Sequence, residues 1–490
     1  MRIKLLKIAH GAIFYLAKSI GPKIRRSPLI VVLMAFSTKR TIKTHKCNRL
    51  LGTVRGLLFF FLLGISFFPP ALFAGDRPVL QSPQGRSRGD YLTVKVAVIG
   101  PGDELYFWWG HIGLVIEDSL FGREDFYDWG VFSFQNENFF LNFALGRLLY
   151  SCTISSPGRT FRAYASTNRD ITVYTLDLPA DVKENILRFA ENNVRRENRD
   201  YLYHHFRDNC ATRVRDIIDM AVSGAFKLRY EDAPGRFTLR GHVRRHTWFS
   251  PFWDWILNFW MGRGIDRPIS VWDEMFLPSE IGNRIADFTY TGSDGIERPL
   301  VSSVKVLRVS RGRPMVLAEP EPSWPQGLAL GLTLAFAAAL LQFLGTKKSP
   351  FTRVLGIYQT LLGLFFGAAG LILFFMTFFT NHDYTYHNNN ILFVNPLILA
   401  AIPLGIIYGN TKDKDKQLRA KKFLHILWAC IFLGGLAGMF MGFLPGLYQQ
   451  NQTTMALILP LAFVLSGLPR RIGTIRYRWK KSGPAEPGKA

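Results

Sequence analysis

Cysteine is scarce in this sequence, with four residues in 490. The four share no CxxC spacing, and the sequence has no HExxH pattern, so two common zinc motifs are excluded. Cys47 precedes the expected mature start and Cys430 lies in an apolar run, which leaves Cys152 and Cys210 in the polar part of the chain. In an oxidising compartment these two residues could form one disulfide.

Acidic residues are also few, since 36 Asp and Glu face 60 Lys and Arg. Residues 1–55 contain thirteen basic residues and no acidic one, whereas residues 56–345 contain 31 basic and 32 acidic residues. The basic excess therefore lies outside the largest segment of the chain. Such a distribution is typical of membrane proteins, which retain Lys and Arg on the cytoplasmic side. We therefore expect no nucleic-acid partner.

The N-terminal region, residues 1–75, has the composition of a secretory signal peptide. Basic residues precede an apolar run at 57–68, and a small-residue site lies near Ala74. An uncleaved anchor is the alternative, and Met34 is an alternative start. In either case we expect the residues that follow to lie outside the cytoplasm.

Five apolar runs in residues 323–470 are long enough to span a membrane. The loops 380–390 and 449–454 contain no Lys or Arg, and the alternate loops are basic. Hydropathy and charge thus predict one topology, with residues 76–322 outside the cytoplasm and a basic tail, 471–490, inside it. The predicted spans cover roughly 326–345, 354–379, 391–409, 423–447 and 454–469.

Residues 76–322 have the alternating patterns of an α+β domain. A helix is predicted at 138–150, another after Pro179 and a third at Cys210. The aromatic and basic segment 225–268 suits the headgroup level of a membrane, or alternatively a core or packed loop. Strands are predicted at 91–99, 108–117, 126–132, 169–178 and 301–309.

The stretch 207–219 predicts an amphipathic helix that begins near Cys210, because apolar residues recur at i, i+3 and i+7. Asp208 or Asn209 suits the N-cap. The free amides and the dipole of a first turn favour an anion, and so favour a thiolate on Cys210. A small buried side chain is the alternative for a lone cysteine.

His111 lies in a Gly-His-Ile-Gly strand and is the candidate base for this thiol. Asp128 or Tyr127, on the following strand, could orient the imidazole, because facing residues of antiparallel strands lie about 5 Å apart. His204 and His205 are rival bases, but a base on a rigid strand holds its position better. The histidines and the thiol lack a recognised metal spacing, so we expect no metal and no other cofactor.

An acyl-transfer site also needs groups that bind the substrate and the oxyanion. The backbone amide of Cys210 is one oxyanion donor to consider. Polar side chains of the 380–390 loop could bind lipid headgroups or the acceptor, although simple solvation of the loop would explain them too. The side-chain candidates for substrate or oxyanion binding are Asn209, Tyr127, His382, Asn388 and Asn390.

These stretches resemble known families. Gly110–Asp118, Tyr203–Asp216 and Met275–Pro278 are similar to the periplasmic domain of the Lnb-type lipoprotein N-acyltransferases, and 382–397 is similar to the membrane half of that family. The order of His strand and Cys helix resembles the circularly permuted papain-like (NlpC/P60-like) cysteine enzymes. The resemblance therefore implies an α+β permuted papain-like periplasmic domain, 76–322, followed by an all-α bundle of about five transmembrane helices, 323–470.

The resemblance also implies an activity. The expected protein is a bacterial inner-membrane enzyme that moves an acyl chain from a phospholipid to the amino-terminal cysteine of a diacylated lipoprotein. Cys210 would be the nucleophile and His111 the base, whereas Asp128 as orienting residue follows only from the strand pairing. Two alternatives are an envelope cysteine hydrolase, either a peptidase or an amidase, and a non-catalytic membrane protein with a Cys152–Cys210 disulfide. Five spans argue against a hydrolase of the cell wall, which needs at most one anchor.

Overall fold

The computed structural model describes residues 87–132, 138–292, 294–346 and 349–469. All described residues belong to one compact unit, Pro78–Ala490. The predicted signal peptide or anchor, the alternative start at Met34 and the basic tail lie outside the described residues.

The α+β part is built on one antiparallel sheet of seven strands, and two further strands form a separate pair. The strand Leu92–Ile99 has an alternating sequence and buries side chains on both faces of this sheet. The strands are β1 (Leu92–Ile99), β2 (His111–Asp118), β3 (Arg123–Val131), β4 (Leu149–Ser155), β5 (Ile171–Leu176), β6 (Asp200–Leu202), β7 (Thr289–Thr291), β8 (Glu297–Pro299) and β9 (Val301–Arg308). The sheet has the order β6-β4-β3-β2-β1-β5-β9, and β7 pairs with β8.

Nine α-helices accompany the described strands. They are α1 (Phe139–Ala144), α2 (Pro157–Ser166), α3 (Ala180–Asn193), α4 (Cys210–Ala221), α5 (Ala225–Tyr230), α6 (Leu239–Thr247), α7 (Pro251–Trp260), α8 (Val271–Glu274) and α9 (Pro278–Ala286).

The sheet separates two apolar clusters. Leu114 of β2 lies on the face that is covered by α3, α4 and α9. Val115 of β2 and Phe126 of β3 lie on the opposite face, against α2. Side chains alternate along a strand, so His111 shares the α2 face with Val115. His111 and the Cys210 helix therefore lie on opposite faces of the sheet. Their side chains can meet only at an end of the sheet.

Most of the predicted elements are confirmed. All five predicted strands are present, and so are the helices after Pro179 and at Cys210. The helix predicted at 138–150 is too long. The observed helix ends at Ala144, and β4 begins at Leu149. Gly146 has φ +74°, a left-handed conformation that commonly follows the end of a helix.

Among the described residues, the C-terminal part contains four helical segments that are long and apolar enough for a span, and one shorter apolar helix. One of the four, Asn389–Asn410, consists of two 3-10 turns, Asn389–Leu392 and Pro396–Ala400, followed by an α-helix of 10 residues. The candidate spans are Trp324–Gly345, Pro350–Phe379, Asn389–Asn410 and Lys414–Met441. The run at 454–469, predicted as a fifth span, forms a helix of only 14 residues with Pro460 inside it. The helices are α10 (Trp324–Gly345), α11 (Ser349–Phe379), α12 (Ala401–Asn410), α13 (Lys414–Met441) and α14 (Gln452–Leu465).

The aromatic segment 225–268 makes direct contact with the apolar helices. Trp255 of α7 stacks on Phe365 of α11, with ring centroids 6.4 Å apart. Phe259 is 1% exposed and belongs to the apolar core that the long helices form. Part of the segment is therefore a core element that joins the α+β part to the apolar helices. A core position was the predicted alternative to a surface at the headgroup level.

Candidate active site

Cys210 is the first residue of α4, and its position is fixed by a capping box. The Asn209 side chain accepts a hydrogen bond from the Thr212 amide at 2.9 Å, and the Thr212 hydroxyl accepts one from the Asn209 amide at 2.9 Å. Amides in the first turn of a helix have no carbonyl four residues back. The Cys210 amide therefore fits the predicted role of an oxyanion donor, and the thiol is 9% exposed.

The prediction that the Asn209 side chain donates to an oxyanion is wrong in this geometry. Its Nδ2 already donates to the carbonyl oxygens of His205 at 2.8 Å and Phe276 at 3.0 Å. Both amide hydrogens are thus used, and Oδ1 caps the helix. Asn209 positions the nucleophile instead. Phe276 belongs to the Met-Phe-Leu-Pro stretch, so this stretch contacts the cysteine motif directly.

His111 and Asp128 form the predicted pair. Nε2 of His111 lies 2.7 Å from Oδ1 of Asp128, and each side chain is 14% exposed. Leu114 pairs with Tyr127 in the β2–β3 ladder, and extending this register puts Asp128 opposite Gly113. The carboxylate therefore reaches the imidazole diagonally along one face of the sheet. A Cβ atom on Gly113 would lie 2.3 Å from the Phe126 ring, so the glycine leaves room for that ring.

Gly130 brings the thiol and the imidazole together. It lies at a β-bulge in β3 with φ +100°. A Cβ atom built on this glycine would lie 3.6 Å from Cβ of Cys210 and 3.9 Å from Cε1 of His111. The two side chains therefore flank one residue at the end of the sheet, although α4 and His111 belong to opposite faces. No motif in the sequence marks this glycine as a site residue.

The surroundings of His111 favour the charged imidazolium. Burial opposes the charge, but Tyr164, Asp128 and Cys210 outweigh it, so the pKa of His111 lies well above its ordinary value. The Tyr164 ring of α2 lies 6.0 Å from the imidazole ring. An imidazolium beside Cys210 would in turn stabilise a thiolate.

Arg169 lies behind Tyr164 and is a second site residue that was not predicted from the sequence. The side chain is 0% exposed, and its Cζ lies 4.8 Å from the centroid of the Tyr164 ring. Nε donates to the carbonyl of Gly100 at 2.8 Å, while the two terminal nitrogens have no hydrogen-bond partner among the described residues. The guanidinium thus holds the ring that packs against His111. No short sequence motif marks this arrangement, because it joins a strand, a loop and a helix.

Tyr127 does not reach the site. It is 0% exposed and belongs to the core on the α4 face of the sheet, whereas Asp128 faces α2. The predictions of Tyr127 as an orienting, substrate-binding or oxyanion group are therefore wrong. Period-two alternation gives the reason, since neighbouring residues of one strand face opposite sides.

The disulfide alternative is also contradicted. Cys152 and Cys210 are both free thiols. Cys152 lies in β4 opposite Trp129 and is 2% exposed, and burial raises the pKa of its thiol. Cys152 is therefore a small core residue.

The rival bases His204 and His205 have other surroundings. Nε2 of His204 lies 2.7 Å from Oδ1 of Asp383, whose other oxygen lies 3.2 Å from Arg207. Burial and two neighbouring histidines lower the pKa of His205 to about 4, and its ring packs against Tyr384. Both histidines therefore face the 380–390 loop.

The loop residues that we predicted to bind substrate are buried in the junction with the α+β part. Nε2 of His382 donates to the carbonyl of Phe143 at 2.9 Å, and Nδ1 accepts from the Tyr384 hydroxyl at 2.8 Å. Asn388 and Asn390 each donate to the carbonyl of Phe259 at 2.9 Å.

These three side chains are 5% or less exposed. The prediction that they bind headgroups does not fit this burial, and simple solvation of the loop does not either. Their amide and imidazole groups instead satisfy buried backbone carbonyls of the α+β part, as buried polar groups require.

Two glycines allow the close approach in this junction. A Cβ on Gly146 would lie 2.6 Å from the amide nitrogen of His382, and one on Gly262 would lie 2.0 Å from the carbonyl oxygen of Tyr386. Side chains do not fit at these distances. The backbone of the α+β part is thus seated directly on the loop, which fixes the site relative to the apolar helices.

Among the residues that the structure describes, no cluster of three or more His, Cys, Asp or Glu side chains could hold a metal ion. The histidines near Cys210 are instead divided between the Asp128 pair and the junction.

Two family models match the chain. The model described as the Lnb N-terminal periplasmic domain matches residues 81–245, which include His111, Asp128 and Cys210. The model described as the Lnb transmembrane domain matches residues 320–468, which include the whole junction loop. The chain matches no curated protein and no solved structure.

Proposed function

Because the chain belongs to the Lnb family, as a membrane protein with a periplasmic domain, we propose that it is a cysteine-dependent lipoprotein N-acyltransferase. The acyl donor is a phospholipid of the bacterial inner membrane, and the acceptor is the amino-terminal cysteine of a diacylated lipoprotein. The observation that carries the proposal is the His111–Asp128 pair beside a thiol at a capped helix start. The same order of His strand and Cys helix supports a permuted papain-like relationship.

In the first half-reaction the Cys210 thiolate attacks an ester carbonyl of the phospholipid. A carbon–sulfur bond forms, and the bond to the glycerol oxygen breaks. Nε2 of His111 is held by Asp128, so Nδ1 is the ring nitrogen that passes the thiol proton to the departing oxygen. The products are a thioester on Cys210 and a lysophospholipid. The Cys210 amide stabilises the tetrahedral oxyanion.

In the second half-reaction the lipoprotein amine attacks the thioester. A carbon–nitrogen bond forms, the carbon–sulfur bond breaks, and His111 accepts the proton that the nitrogen loses. The seating of the domain on the apolar helices supports this chemistry, because both substrates are lipids. Drawing an acyl chain into water would cost about 0.8 kcal/mol per CH₂ group, and a site held at the bilayer surface avoids much of that cost.

The decisive experiment compares two cysteine variants in a strain that lacks lipoprotein N-acylation. Cys210→Ala should abolish N-acylation, as read by mass spectrometry of a lipoprotein amino terminus. Cys152→Ala, the matched control, should retain it, because Cys152 is a core thiol on β4. Restored N-acylation with Cys210→Ala would rule out the proposal. Free fatty acid or cleaved peptide as the only product would favour the envelope hydrolase.

A further inference from the structure

Helix α1 exposes large apolar side chains. Phe140, Leu141 and Phe143 are 59%, 51% and 48% exposed, and we refer to these three residues as the α1 patch. Three exposed apolar residues in a helix of six are more than the scattered single residues of an ordinary surface. The patch therefore indicates an apolar contact outside the described residues.

The position of α1 identifies the kind of contact. The carbonyl of Leu145, which follows the helix, accepts a hydrogen bond from the Asn381 amide at 2.8 Å, and the carbonyl of Phe143 accepts one from His382. Asn381 lies two residues after the end of the long apolar helix α11. The α1 patch is thus fixed where a candidate span leaves the apolar layer, at the surface of a bilayer.

A series of aromatic rings continues from α1 into the α+β part. The ring of Phe139 stacks on that of Phe132 with centroids 6.1 Å apart, and Phe132 contacts Tyr150 at 5.0 Å. Tyr150 in turn stacks on Tyr203 at 4.1 Å. The series therefore joins the patch to the strands that carry the site.

The inner end of this series lies near the nucleophile. Phe132 follows Gly130 by two residues, and Gly130 directly flanks Cys210 and His111. Burial and the nearby Cys210 raise the pKa of Tyr150 to about 12. An apolar chain lying along these rings would therefore extend from the bilayer surface to the thiol.

We propose that the α1 patch, Phe132 and Tyr150 bind the acyl chain of the donor phospholipid and guide its ester to Cys210. The inference rests on the proposed function, which it deepens by assigning the acyl-chain site. Aromatic rings suit this ligand because they remove an apolar chain from water without requiring a polar group of it. The occupant is a lipid of the outer leaflet, because the patch lies at the end of a span and belongs to the part of the chain that matches a periplasmic domain.

Photocrosslinking tests the site without requiring turnover. Full-length Cys210→Ala protein is placed in phosphatidylethanolamine vesicles in which one acyl chain carries a diazirine, and labelled peptides are mapped by mass spectrometry. We expect labels on residues 139–144 and on the peptides that contain Phe132 or Tyr150. Labels confined to the long apolar helices would overturn the inference. Leu228 of α5, 74% exposed, is the control for nonspecific labelling of apolar surface.

Substitution of the patch supplies a second measurement. In Phe140→Ser/Phe143→Ser protein, the rate with phospholipid divided by the rate with p-nitrophenyl butyrate should fall by at least about tenfold, because a short ester needs no chain-binding surface. Leu228→Ser should leave this ratio unchanged. An unchanged ratio in the patch variant, with acyl transfer by the wild type intact, would refute the acyl-chain site and leave the proposed function standing. If the wild-type protein transfers no acyl chain, the proposed function is refuted. The crosslinking experiment then still shows whether the α1 patch binds an acyl chain.

Discussion

Asp128→Asn tests the electrostatic part of the proposed site. The change removes the negative charge that lies 2.7 Å from Nε2 of His111 and keeps the size of the side chain. A hydrogen bond to a charged group contributes about 1.5–3 kcal/mol, and about 1.4 kcal/mol corresponds to a factor of ten in rate. We therefore expect acyl transfer to slow by roughly 10- to 150-fold. Cys210→Ala, which removes the nucleophile, should be worse.

The pH dependence gives the more specific signature. The carboxylate is one cause of the raised pKa of His111. Since the imidazolium is the charged form, removing a negative neighbour destabilises it, and His111 then loses its proton at a lower pH. The alkaline limb of the pH–rate profile should move to lower pH in Asp128→Asn. The rate of acyl transfer, measured from about pH 5 to about pH 11, reports that limb.

Glu124→Gln provides a matched control on the same strand. Its carboxylate lies 3.2 Å from Lys95 and is 42% exposed, and exposed ion pairs of this kind contribute about 0–1 kcal/mol. The control removes one negative charge from β3 but should leave the rate within about twofold and the alkaline limb in place. An Asp128→Asn protein that behaves like this control would refute the role of Asp128.

Three further predictions concern the β-bulge, the junction and the stability at low pH. Gly130→Ala should lower the stability of the folded protein by roughly 1–3 kcal/mol, because φ +100° strains a residue with a side chain. A lower Tm and slower alkylation of the Cys210 thiol would show this effect, and wild-type values would contradict it. Asn388→Ala should lower the Tm, because the Trp260 carbonyl loses its hydrogen bond from Asn388 and a buried polar group left unpaired costs about 1–3 kcal/mol. The Phe259 carbonyl keeps its hydrogen bond from Asn390. His387→Asn, at an exposed neighbour with φ 54°, should leave the Tm unchanged, and equal Tm values in the two variants would refute the docking role. His205 has a pKa of about 4 in the folded protein, so the unfolded chain binds the proton more readily and the folded protein loses stability as the pH falls from about 6.5 to 4. His205→Asn should reduce this loss of stability in thermal scans. An unchanged loss would exclude His205 as its source.

Local patterns were sufficient for the main parts of the site. Cys210 follows a capping sequence at the start of an apolar stripe, and His111 begins an alternating strand, so both elements can be predicted from a few neighbouring residues. Asp128 could be predicted because antiparallel pairing is local in sequence here. The same alternation, applied to β3, would have excluded Tyr127 once Asp128 was placed on the imidazole face.

The partners of the loop side chains and of Arg169 are set by tertiary packing and could not be predicted from the sequence. His382 and Asn390 are polar and lie in a short loop between apolar runs, which predicts solvent or substrate as their partner. Whether such a side chain faces water or a carbonyl of another part of the chain depends on contacts more than a hundred residues apart in sequence. Arg169 is hidden for the same reason, because its neighbours come from separate segments.

The junction has a consequence for how the rate of the proposed reaction depends on concentration. Buried hydrogen bonds and glycine contacts hold the α+β part to the 380–390 loop, so the height of the Cys210 thiol above the membrane is set by the protein itself. Both proposed substrates then reach it by lateral diffusion, and their number per unit of membrane area controls the rate. Adding inert lipid or detergent at a fixed bulk concentration of substrate should slow the enzyme through surface dilution alone.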